Sequence, residues 1–141
     1  MGRRDYPDRP LVGAGAVIVR GDQVVLVRRG RPPLAGEWSI PGGVVKLGET
    51  LRQAAEREAR EETGLEIEAG EVLEVFESIT PDDAGKTCYH YVIVDFFCRV
   101  KSGELRAGGD ALEAKWCRAE ELAEQRVSEA VSKVIRKALS R

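Results

Sequence analysis

The stretch that most constrains this chain is residues 50–63, where start and stop signals for a helix bracket a run of acidic residues. Thr50 is placed as an N-cap, Gln53 follows three residues later as in a capping box, and Gly64 stands where a left-handed C-terminal residue is wanted. At about 3.6 residues per turn, Leu51, Ala54, Ala55, Glu58, Glu62 and Leu65 share one side of this helix, with Glu61 beside them. Gln53, Glu56, Arg60 and Thr63 take the expected solvent face. Glu58, Glu61 and Glu62 sit one helical turn apart, so their carboxylates are expected to converge and to repel one another unless a cation stands between them. A solvated, salt-bridged surface helix is the commoner meaning of such a run. Here, however, the three glutamates continue the apolar face. Clustered oxygen donors with open positions suit a hard ion such as Mg²⁺, which shares its coordination sphere with phosphates.

The rest of the chain reads as strands around this helix. Residues 12–19 and 23–28 are β-branched runs separated by Gly21-Asp22, a tight-hairpin dipeptide. Residues 29–48 form a shaped loop with short strands, interrupted by Pro32-Pro33, Gly36, Pro41, Gly42-Gly43 and Gly48. Residues 66–79 and 87–100 are two further strands, the second apolar on both faces as the middle of a sheet requires. A short strand at 114–117, a helical turn at 118–123 and a helix at 128–139 complete the chain. Ala130, Val131, Val134, Ile135, Ala138 and Leu139 line one side of that last helix. The expected fold class is α/β (α+β), a sheet with helices on its faces. Residues 1–10 are expected to be a flexible tail and residues 11–141 a single domain.

With 141 residues, a net charge of −2 and interspersed charges, the chain is unsuited to bulk nucleic acid or an anionic membrane as its main partner. A small, compact anion stays open. Cys88, Cys98 and Cys117 are odd in number and too far apart for a zinc knuckle or a redox pair, so reduced thiols are expected. No apolar stretch reaches the roughly 18 residues of a membrane helix. The expectation is a soluble cytoplasmic protein.

Residues 43–65, GVVKLGETLRQAAEREAREETGL, resemble the Nudix box at Gly43, Glu49, Arg57-Glu58, Glu61-Glu62 and Gly64-Leu65. Ala59 departs from the larger aliphatic residue usual there, and Trp38-Ser39-Ile40-Pro41-Gly42 looks like the usual approach to the box. The resemblance implies the Nudix fold, a loop–helix–loop against a mixed sheet sandwiched between helices, and a magnesium-dependent pyrophosphohydrolase in which Mn²⁺ can substitute. It assigns metal binding to Glu58, Glu61, Glu62 and the carbonyl of Gly43, and catalysis to those glutamates with Arg57. Glu61 and Glu62 rank ahead of Glu58 as the base that takes water's proton. Glu49 pairs with Arg57 to fix the loop, while Gly42 lets the backbone approach metal or phosphate and Gly64 ends the helix.

Further residues follow from the same likeness. An added acidic ligand is expected ahead of Trp116, with Glu113 assigned to metal and Asp110 to substrate. Asp82 and Asp83 form a second rim loop, and Arg28 and Arg29 are candidates for phosphate oxygens. Pro81 lies sixteen positions after Leu65, where a proline resembles the mark of enzymes that cut ADP-ribose, and residues 89–96 resemble the small ADP-ribose pyrophosphatase-like branch. Trp38, Phe76, Tyr89 and Tyr91 could stack on a base, although aromatic residues in strands are usually core. His90, the single histidine, is assigned no role. The expected partner is a small nucleotide, ADP-ribose first, and a homodimer is left open. The alternatives are a nucleoside triphosphate pyrophosphohydrolase and a nucleotide-sensing module without catalysis.

Overall fold

Gly21 takes a left-handed φ of +62° between β1 (Leu11–Arg20) and β2 (Gln23–Arg29), and pairing of Arg20 with Gln23 leaves the two-residue turn that the dipeptide implied. The computed structural model describes residues 4–31 and 35–141; the Pro32-Pro33 break lies outside the described residues. Next come β3 (Trp38–Ser39), β4 (Gly42–Val44), α1 (Leu51–Thr63), β5 (Glu66–Pro81), β6 (Thr87–Ser102) and β7 (Ala111–Arg118). A 3₁₀ turn (Ala119–Glu124) and α2 (Glu129–Leu139) follow.

The strands form one seven-stranded mixed sheet ordered β3-β2-β1-β6-β5, with β4 also on β1 and β7 on β2. Among the described residues β1 and β6 are the one parallel pair of strands, beside an isolated parallel bridge between Trp38 and Val127, and β6 lies between β1 and β5, as its two apolar faces demanded. Strand β1 changes partners along its length. Val19 and Arg20 pair with β2, whereas Gly13, Ala14 and Gly15 pair with β4. A Cβ on Gly42 would stand 2.6 Å from the Ala14 carbonyl oxygen, so this close passage needs glycine.

Side-chain alternation along the sheet builds two cores. Ala14, Ala16, Ile18, Phe96 and Cys98 pack under α1, while Val17, Val24, Leu26 and Leu73 pack under α2. The helices therefore sandwich the sheet. Helix α1 presents the small residues Ala54, Ala55 and Ala59, all fully buried, so the departure at Ala59 is absorbed by close packing.

Both ends of α1 follow the sequence signals. Thr50 and Gln53 form the reciprocal capping box, and Gly64 is left-handed at φ 74°. Thr63, expected on the solvent face, is instead fully buried, its hydroxyl donating to the Ala59 carbonyl at 2.5 Å. The cause is the segment after β6, which wraps the helix end: Arg106 N–H donates to Thr63 O and Gly108 N–H to Glu62 O. Along α2, Ala130 is exposed and Ser132 buried, so the apolar stripe is rotated from the expected one. Tyr6 N–H donates to the Cys88 carbonyl and its hydroxyl to Asp82 Oδ2, laying the start of the chain across the β5–β6 hairpin. Among the described residues no helix is long and apolar enough to cross a membrane.

Gly64→Ala should lower stability by about 1–2 kcal/mol, the cost of a left-handed conformation for a residue with a Cβ. Urea unfolding of the two proteins checks this, and equal midpoints would contradict it.

Candidate active site

Arg57 is the hub of the site. Its Nε and Nη2 donate to the two carboxylate oxygens of Glu49 at 2.6 and 3.0 Å, Nη2 reaches the Val44 carbonyl at 3.2 Å, and Nη1 donates to Glu58 at 2.8 Å. The hydrogen bonds from Arg57 hold the Glu49 carboxyl below the usual carboxylate range, and Glu49 in turn raises Arg57. Glu49 also accepts from Lys46 N–H, so loop and helix are clamped together. The expected Glu49–Arg57 pair is therefore present in bidentate form.

The clamp sets the backbone of β4 against α1. Glu58 lies so close that a Cβ on Gly43 would come within 2.6 Å of its carboxyl carbon. Glu62, only 8% exposed, accepts from Gly42 N–H at 2.8 Å. Burial pushes the Glu62 carboxyl up to about 7; the Gly42 N–H works against this rise and the charge of Glu58 adds to it. Both carboxylates open into a cleft of about 290 Å³ bounded also by Gly43, Arg29, Arg31 and Asp110.

The expected convergence of three carboxylates is not the arrangement found. Among the described residues no three His, Cys, Asp or Glu side chains are gathered closely enough to hold a metal ion as they stand. The reason is Arg57, whose Nη1 lies 2.8 Å from Glu58 and 3.4 Å from Glu61 and takes up the repulsion assigned to a metal. Glu61 is about half exposed and does not line the cleft.

Other expected residues divide. Arg29 and Asp110 line the cleft, Asp110 with an ion pair to Arg31 at 2.9 Å. Arg28 and Glu113, assigned to phosphate and metal, pair with each other across β2 and β7 at 3.1 Å and do not line it. Trp38 packs in the α2-side core with Lys115 Nζ 4.2 Å over its ring, and Pro81 is exposed at the hairpin tip; neither reaches the cleft. Phe76 and Tyr91 line it, and Tyr89 stacks on Tyr91 outside it.

Sequence reading missed Arg31 and Asp95. Asp95 lines the cleft from β6 at 2% exposure, in a register where alternation alone predicts an apolar residue. A lone acid in a strand that is apolar on both faces was the available signal.

Comparison with known proteins shows the family. A NUDIX domain family model matches residues 9–138, nearly the whole chain. The chain belongs to that family, whose hydrolases generally use divalent metal ions. It is 36% identical to the ADP-ribose pyrophosphatase of Methanocaldococcus jannaschii over 107 residues, 76% of this chain and 61% of that protein. Human 8-oxo-dGDP phosphatase NUDT18 is 30% identical over 99 residues, 67% of this chain and 28% of that protein. The chain thus spans less than two thirds of the length of either relative. The crystal structure of a MutT NUDIX hydrolase from Burkholderia pseudomallei superposes with a TM-score of 0.76 at 31% identity, covering 92% of this chain and 98% of that one.

The raised value at Glu62 has a consequence for metal-free protein. The folded state holds this proton more tightly than the unfolded chain, so its contribution to stability is complete below the ordinary value of 4.5 and is lost as pH rises through about 7. Asp95, raised from 3.8 to about 7, acts in the same sense. In EDTA, the melting temperature of the wild type should fall between about pH 5 and about pH 8, and Glu62→Gln should flatten that fall, leaving the part due to Asp95. Parallel profiles would contradict the assignment.

Proposed function

We propose that this chain is a Mg²⁺-dependent pyrophosphohydrolase that cleaves the diphosphate of a nucleoside diphosphate linked to another moiety, most readily ADP-ribose to AMP and ribose 5-phosphate. The observation that carries the reading is the placement of Glu58 and Glu62 together in one cleft, Glu58 against the backbone of Gly43 and Glu62 accepting from Gly42 N–H. The donor set fits a hard cation. It is all oxygen, and the missing Cβ of Gly43 leaves the Glu58 carboxylate lying directly on the backbone.

Glu58, Glu62 and the Gly43 carbonyl would hold the ion, with Glu61 adjoining. When bound, Mg²⁺, or Mn²⁺ in its place, neutralises charge on the diphosphate oxygens and lowers the pKa of attacking water. Glu62, buried and lining the cleft beside that seat, is placed to take that water's proton. This favours it over the exposed Glu61. Arg29 and Arg31 bring positive charge to the cleft for the remaining phosphate oxygens, and Arg31 is steadied by Asp110. Arg57 acts by fixing Glu58 and the loop.

The archaeal relative named as an ADP-ribose pyrophosphatase supports this substrate. A second reading, a nucleoside triphosphate pyrophosphohydrolase that clears damaged or unwanted nucleotides, draws on a Mycobacterium tuberculosis relative named as a putative 8-oxo-dGTP diphosphatase, 57% identical over 58 residues, 40% of this chain and 40% of that protein. A sensing module without catalysis is disfavoured by the intact glutamates. A cytoplasmic setting belongs to the proposal, in keeping with three free cysteines.

Turnover of ADP-ribose, other nucleotide sugars and nucleoside triphosphates in Mg²⁺, with products identified, tests the reading. ADP-ribose should give AMP, and Glu58→Gln and Glu62→Gln should each lower kcat by about 100-fold or more without unfolding the protein. Pyrophosphate released from a triphosphate, with ADP-ribose untouched, would select the second reading. Undiminished metal-dependent turnover in both variants would sink the first.

A further inference from the structure

Asp95 is a buried acid that the reaction does not use. It sits on β6 in register with Gly15 of β1, and a Cβ at Gly15 would overlap its Oδ1, so the glycine makes room for the carboxylate. At 2% exposure it lines the cleft, yet among the described residues no hydrogen bond or cation serves it. Its strand partner Glu74 is also acidic. Lys137 on α2 donates to the Leu73 carbonyl at 2.5 Å and stands 4.0 Å from Glu74. Burial, with the charge of Glu74 adding, pushes the Asp95 carboxyl up to about 7.

A carboxylate that has given up nearly all its water and gained no donor costs stability, and the little of Asp95 that stays open faces the cleft, where a ligand can bring the donor. The ligand's chemistry follows from the surroundings. Phosphate is excluded, because the carboxylate would repel it. Ile40, Phe76, Ile93 and Val131 give the same cleft apolar walls, which suit a flat ring better than a row of sugar hydroxyls. A purine has flat apolar faces suited to such walls and to the open floor of Gly13 and Gly15, and it carries N–H donors on one edge.

We propose that Asp95 is a specificity-determining residue that accepts hydrogen bonds from the amine-bearing edge of a purine in the substrate. The proposal rests on the cleft being a nucleotide site. It extends that reading by naming the residue that selects the base. Adenine offers its exocyclic amine, and guanine offers its amine and the adjacent ring N–H.

Calorimetric binding of AMP and GMP, each against its analogue with both amine hydrogens replaced by methyl groups, tests this in wild type, Asp95→Leu and Asp95→Asn. The wild type should prefer at least one natural nucleotide over its methylated analogue by about 10-fold or more, and the pair that discriminates identifies the base. Asp95→Leu should lose the preference and melt at a higher temperature, since an unpartnered buried charge is gone; a merely structural aspartate would melt lower. Should Asp95→Leu fail to fold, Asp95→Asn carries the test, with a reduced preference and a raised melting temperature expected. A wild type that binds neither nucleotide or treats both pairs alike overturns the proposal, as does a preference unchanged in the variants. ADP-ribose turnover is scored separately, so loss of turnover with base preference intact contradicts the enzymatic reading alone.

Discussion

The pairing of Arg57 with Glu49 is the constraint on which the site depends. Both side chains are mostly buried, so each charge has given up water that the other must replace. Removing either partner would strand a charge and free the loop that carries Gly43. The same guanidinium reaches Glu58 and the Val44 carbonyl, so one side chain sets the distance between helix α1 and strand β4. That distance explains Gly43, which lies under Glu58, while Gly42 is held to glycine by its passage over Ala14 of β1; neither position has room for a Cβ.

Within this frame the cleft is electrostatically tense. Glu62 and Asp95 are each buried with raised values, and the cations at hand are partly committed, Arg57 to Glu49 and Arg31 to Asp110. A fold optimised for stability alone would bury apolar residues at both places. The strain is understandable if the free protein is prepared for a ligand that brings positive charge to Glu62 and N–H donors to Asp95. Two unlike demands at separate positions describe two parts of one substrate complex.

Much of the fold was legible because local signals were unambiguous. The capping box at Thr50 and Gln53, the left-handed Gly64 and the Gly21 hairpin are chain-local chemistry, and each appears where it was expected. Thr63 was misplaced because helical periodicity cannot anticipate which neighbour covers a helix end, here the segment after β6, and Ala130 because the buried stripe of α2 is rotated onto Ser132. In the site, the spacing of Glu58 and Glu62 was readable, but their partners were not. Sequence reasoning supplied a cation to relieve repulsion and overlooked that Arg57, already tied to Glu49, stands between Glu58 and Glu61. Arg28 and Glu113 were each given a role at the cleft, whereas cross-strand register pairs them with one another. Asp95 escaped notice because a single acid in a hydrophobic strand gains meaning only when its lack of partners is seen.

The central claim is that Glu58, Glu62 and the Gly43 carbonyl form a seat for a divalent cation. Anomalous diffraction from crystals soaked in Mn²⁺ tests it directly. The account predicts a peak within coordinating distance of both carboxylates and that carbonyl, with Arg57 still paired to Glu49. An empty seat at saturating Mn²⁺, with Arg57 remaining the sole cation at Glu58, would contradict it.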